Sequence, residues 1–268
     1  MKDDLLRLIR AAPTLWRVGV ASIVAYRAEM IIWILSATLP LVMMAIWSAA
    51  TAEAPLGLFG QREVTRYFAV TMVVRQLTGA WVVWELNYMI RTGALSPQLL
   101  RPTNPLVYNL FETLAAVPWR VLVLAPIVGA VILWRPEILV WPGWMRVGGF
   151  VVSVGLAFLV AWLVQVLFGL AAFWLDQSQG LFAVYFAVWA FLSGYLVPAP
   201  LLPPGVAEVA AVLPFYASLG APVDLLTDGT GASIPAVLLG QLAWVLALGV
   251  LAGAVWRAGI RRYGAVGA

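Results

Sequence analysis

"IRTGALSPQLLRPTNPLVYNLFE", residues 90–112, interrupts a chain that is otherwise mostly apolar, with long apolar runs over 67–89 before it and 117–134 after it. Gly93 and Pro97 break a helix as it leaves the membrane, because Gly frees the backbone and Pro lacks the N–H a helix needs. Leu95, Leu99 and Leu100 then fall at i, i+4 and i+5, forming a short apolar patch, and Arg101 stands beside Pro102. Asn104-Pro105 can open a second helical segment, with Pro at a first-turn position where its missing N–H costs nothing. From there Leu106, Leu110 and Leu114 share one face. Two readings follow: a docking element, that is, a short helix held across the membrane surface between two spans, or a solvated loop carrying a few interfacial leucines.

The composition says what surrounds this stretch. Of 268 residues, 63% are hydrophobic and 10% charged, and the mean hydropathy is +0.96. Soluble domains are nearer half apolar and a quarter charged. Apolar runs long enough to cross a bilayer core recur, so the chain reads as an all-α, polytopic membrane protein. The short alternating segments of a β-barrel are missing. Fourteen Trp suit interfacial anchoring. With no Cys and no His, thiol catalysis, thiolate metal sites and imidazole chemistry are excluded. In such a protein a net charge of +4 points to loops facing anionic lipid rather than to nucleic acid. The N-terminus lacks the isolated apolar core of a cleavable signal peptide.

Along the chain, residues 2–17 predict an amphipathic interfacial helix through Leu5, Leu8, Ile9 and Ala12. Six transmembrane spans are predicted over 23–49, 67–90, 117–134, 147–175, 181–197 and 234–256. Residues 198–233 are too broken by Pro and Gly to cross as one helix and too apolar for an ordinary loop. Short re-entrant helices between spans five and six fit them, since irregular backbone at membrane depth needs protein or water around it. Basic residues orient the whole. Lys2, Arg7, Arg10, Arg17, Arg27, Arg91, Arg101, Arg120, Arg257, Arg261 and Arg262 fall on one side, against Arg62, Arg66, Arg135 and Arg146 on the other. Both termini and residues 90–112 are therefore expected in the cytoplasm, within a single transmembrane domain over 1–268.

No Gly-rich loop ending in Lys-Ser or Lys-Thr is present, so the chain does not bind ATP by a P-loop. No residues stand out as catalytic or metal-binding. Polar residues within spans are the functional candidates, because lipid makes them costly. Span two carries Arg75 and Gln76 near its middle and Glu85 and Asn87 toward its cytoplasmic end. On a continuous helix Arg75 and Glu85 lie ~15 Å apart along the axis, so each needs a partner elsewhere. They line a substrate path, or they glue helices together. Gln165 in span four reads as glue.

The run "IRTGALSPQLLRPTNPL" resembles the cytoplasmic loop of ABC type-2 transporter permeases, and most of all the small six-span subgroup that pairs with a separate ATPase. "FWLDQSQGLF" at 173–182, "SGYLVPAPLLP" at 193–203, "LPF" at 213–215 and the ending "WRAGIRRYGAVG" resemble the same subgroup. Ser96-Pro97-Gln98 and Arg75 have no counterpart in the pattern. The resemblance implies a non-enzymatic subunit of a bacterial inner-membrane exporter. A second permease subunit, identical or homologous, completes the pathway, and two ATPase subunits bind ATP and Mg and drive it. It also implies that Gly93, Leu95, Leu99, Leu100, Arg101, Pro102, Asn104 and Pro105 form a coupling helix seated in the ATPase. The N-terminal helix becomes an interfacial elbow, and residues 198–233 an outer gate. The other function classes are a membrane scaffold or assembly subunit without a transport path, and an ion-coupled secondary transporter, for which Glu85 is the one candidate carboxylate.

Overall fold

The computed structural model describes residues 38–264 apart from 58, 176, 177, 228–230 and 232. The N-terminal amphipathic helix expected over 2–17 and the first part of span one lie outside the described residues. Among the described residues the chain is helical, with one isolated bridge between Leu56 and Phe59 and no strand. The helices are α1 (Thr38–Ala50), α2 (Gln61–Thr78), α3 (Val82–Thr92), α4 (Leu95–Leu99), α5 (Pro105–Ala115), α6 (Val117–Trp134), α7 (Trp144–Leu170), α8 (Ser178–Leu192), α9 (Val206–Val212), α10 (Pro214–Ser218), α11 (Gly220–Thr227) and α12 (Ile234–Arg262). Among the described residues, three helical stretches are long and apolar enough to cross a membrane: Pro105–Trp134, Trp144–Phe173 and Ile234–Arg262. α1 and α8 are apolar but shorter. The segment after α8 folds as the short helices α9, α10 and α11, in keeping with its Pro and Gly content.

α7 is the central post, and α2, α3, α8, α11 and α12 all pack on it. Half of its most apolar stretch is buried, against 11% for α12, so α12 presents most of its surface outward. α2 is the reverse case. It is too polar to count as an apolar span, yet Tyr67, Phe68, Met72 and Val74 are fully or almost fully buried. α1, α6, α7 and α11 surround it, so much of its polar surface faces protein.

Span two is not one helix. α2 stops at Thr78, residues 79–81 are unwound, and α3 starts at Val82. Gly79 is extended (φ −64°, ψ 137°), and its carbonyl accepts from the Arg120 guanidinium of α6. The backbone groups freed by a break inside an apolar bundle need protein or a cavity to receive them, and here both are present.

In lipid, apolar contact gains little transfer energy, so close approach and hydrogen bonds hold helices together. Gly169 of α7 lies against α3: a Cβ there would be 2.8 Å from the Leu86 Cβ. Gln241 of α12, 1% exposed, donates to the Ser153 and Ala217 carbonyls at 3.1 and 2.9 Å, tying α12 to α7 and α10. We expect Gly169→Ala to cost about 1–3 kcal/mol by overpacking. Gly155→Ala, in the same helix with nothing within 4 Å, should be neutral or stabilising by up to about 1 kcal/mol. Thermal unfolding midpoints of the two variants in detergent check the contrast.

Candidate functional site

The residues singled out by sequence fall in two places. The first is the connection from α3 to α5. Gly93 ends α3 with φ 79°, in the left-handed region that Gly enters without strain, and the chain turns at once into the five-residue α4. Asn104 caps α5: its Oδ1 accepts from the Leu106 N–H at 2.8 Å, with Pro105 in the first turn. α4 packs on both α3 and α5. Leu106, Leu110 and Leu114 turn inward onto the core formed by α3 and α7.

Leu95 departs from the expected patch. It is fully buried in that same core, whereas Leu99 is 38% and Leu100 88% exposed. Leu95 is therefore the anchor of α4, and the apolar surface it presents is Leu99 with Leu100. Arg101, Pro102 and Asn104 are exposed beside them, while Pro105 is buried. The Ser96 hydroxyl lies 3.1 Å from the Tyr263 hydroxyl just past α12, which adds a third support.

The second place is span two, where the break separates Arg75 and Gln76 on α2 from Glu85 and Asn87 on α3. Asn87 Nδ2 donates to the Ser178 Oγ of α8 at 2.8 Å. Glu85 Oε2 accepts from the Asn109 Nδ2 of α5 at 2.5 Å, and Asn109 Oδ1 accepts from the Trp162 Nε1 of α7 at 2.9 Å. Glu85 and Asn87 thus join α3 to three other helices. Gln76 is 5% exposed and hydrogen-bonded or otherwise engaged within the protein. Arg75 is held differently: its guanidinium carbon lies 5.4 Å from the Trp189 ring centroid and 6.0 Å from those of Phe186 and Tyr195.

Three residues depart from what sequence reading assigned them. Asn109 reads as an ordinary helix residue, yet it is 2% exposed and the hub of the Glu85–Trp162 link. Arg120, placed by sequence among the cytoplasmic loop cations, is 4% exposed at the start of α6 and reaches the helix break. Arg91, Arg101, Arg257, Arg261 and Arg262, by contrast, are all exposed. Gln165, expected as glue, hydrogen-bonds nothing among the described residues. For Asn109 and Gln165 the usable signal was a carboxamide in apolar surroundings. For Arg120 it was a cation at the very start of an apolar run.

Among the described residues no group of His, Cys, Asp or Glu has the clustering a metal ion needs. No curated protein matches the chain. The sequence profile of a family described as ABC-2 family transporter protein matches residues 41–267. That span takes in the helix break, the α3–α5 connection and the short helices before α12, and the chain accordingly belongs to the ABC-2 transporter family, as a multi-pass membrane permease component.

Proposed function

We propose that this chain is the membrane-spanning subunit of an ATP-driven exporter in a bacterial inner membrane, with both termini cytoplasmic. Six spans make up the subunit: one ending in α1, the broken α2–α3 pair, then α6, α7, α8 and α12. It pairs with a second permease subunit, identical or homologous, and two copies of an ABC ATPase power it. ATP and Mg are bound by those ATPase subunits and not by this chain. The pathway runs between the permease subunits, with apolar and aromatic walls that suit hydrophobic or amphipathic cargo.

One observation carries the coupling role. A short helix presents Leu99, Leu100 and Arg101 outward while Leu95 pins it to the core and α3 and α5 hold its two ends. An apolar pair with one cation on a braced helix can pass a rigid-body movement from a soluble motor into a packed bundle. Reconstituting the chain with its proposed ATPase partner should give cargo flux that requires ATP hydrolysis. A scaffold gives no flux, and a secondary transporter gives flux that follows a proton or sodium gradient instead.

A further inference from the structure

A cavity of about 340 Å³ opens at the α2–α3 break, within the roughly 300–1,000 Å³ range of small-molecule sites. Its wall is largely apolar and carries six aromatic side chains: Trp81 and Trp84 on one side, Phe182, Tyr185, Phe186 and Trp189 of α8 on the other. Trp81 and Trp84 are 48% and 39% exposed and form its rim.

Two polar groups in this wall lack what they need. The first is Arg75. No carboxylate among the described residues makes an ion pair with it, and its buried Nε has no hydrogen-bond partner. Ring faces and a hydrogen bond with the Tyr195 hydroxyl offset part of its charge, but neither supplies the opposite charge that a guanidinium at membrane depth calls for. The second is Gln165 on α7, which lines the same cavity. It is 9% exposed, and its buried Oε1 has no partner. Arg120 adds to the local field from behind. A Cβ built on Gly79 would lie 3.3 Å from an Arg120 Nη1 and 3.4 Å from an Arg75 Nη1, so two guanidinium groups converge on one unwound turn.

We infer that this cavity is a recognition site for an anionic amphiphile: a molecule with a carboxylate, phosphate or sulfonate head and an apolar body. The head sits at Arg75, the Gln165 amide hydrogen-bonds the polar group next to it, and the body lies along the rings of α3 and α8. A neutral amphiphile leaves Arg75 uncompensated, and a cationic one meets two guanidinium groups. That the occupant is transported cargo rests on the proposed permease function; that it binds rests on the cavity wall alone.

The test uses three photoreactive probes with one alkyl chain and a sulfonate, hydroxyl or trimethylammonium head. The full-length chain, with whatever subunits co-purify, is placed in phosphatidylcholine nanodiscs without nucleotide, so a failed transport assay has no bearing on the result. We expect the sulfonate to label peptides covering 81–84 and 178–192 about tenfold more than the alcohol, the scale of a charge-assisted contact, and the ammonium probe to label least. Arg75→Gln should erase the preference, Arg75→Lys keep part of it, and Gln165→Leu weaken it severalfold. Competition by added phosphatidylglycerol assigns the site to a bilayer lipid, and competition by free dodecyl sulfonate alone assigns it to a separate amphiphile. Equal labelling of wild type by sulfonate and alcohol overturns the inference, as does an unchanged preference in a folded Arg75→Gln variant. Should that variant aggregate, the wild-type ratio decides.

Discussion

Leu100→Asp is expected to lower ATP-driven transport at least about tenfold while leaving the protein inserted and stable. Leu100 is 88% exposed, so at the proposed cytoplasmic placement a carboxylate there displaces no packing in the isolated subunit and costs folding little. In the assembled transporter the same carboxylate would be forced into an apolar seat. An apolar anchor at an interface centre is worth about 2 kcal/mol or more, and tenfold in affinity is about 1.4 kcal/mol. Leu99→Asp should act in the same direction. Leu95→Asp should behave differently, because Leu95 is fully buried and an unpaired buried carboxylate destabilises the fold itself. Membrane yield, ATPase co-purification and flux, measured on all three variants, separate the outcomes. ATPase co-purification at wild-type yield with Leu100→Asp counts against the docking role.

Asn109→Leu is the second large expected effect, and it falls on stability. Asn109 answers Glu85 with its amide nitrogen and Trp162 with its oxygen. Leucine fills a similar volume and answers neither. Trp162 is buried, and a lost hydrogen bond that leaves a buried partner unsatisfied costs about 1–3 kcal/mol; Glu85 is half-buried and adds less, so the two together should cost about 2–4 kcal/mol. The penalty should shrink in Asn109→Leu combined with Trp162→Phe, which removes one orphaned donor. Unfolding midpoints in detergent give the comparison, and additive losses in the double variant would contradict a shared link.

Legibility in the sequence followed how local each signal was. The cap at Asn104-Pro105 and the apolar run from Val117 to Trp134 appear in the structure where the sequence put them, because capping chemistry and hydrophobic length are local. The short helices after residue 198 were likewise legible from Pro and Gly spacing. The break in span two was not. Apolar residues continue through Gly79, and glycine alone does not end a membrane helix; what stabilises the unwound carbonyl is Arg120, 41 residues further on. The same limit hid the burial of Leu95. Spacing placed it with Leu99, and only the packing of α4 on α3 distinguishes anchor from surface. Arg75 stood out by charge alone, but its ring partners lie on and just after α8, beyond the reach of periodicity.

We propose that driving force enters this bundle at the α3–α5 connection from the cytoplasmic side. The chain has no cysteine, so Leu100→Cys supplies a single reactive thiol at the most exposed leucine of that connection. The direct measurement is thiol crosslinking in sealed membranes that contain the co-expressed ATPase. The account predicts a permease–ATPase crosslink, and alkylation only by reagents that reach the cytoplasmic face. Alkylation by a membrane-impermeant reagent from the outer face, or crosslinks to lipid and none to the ATPase, would contradict it.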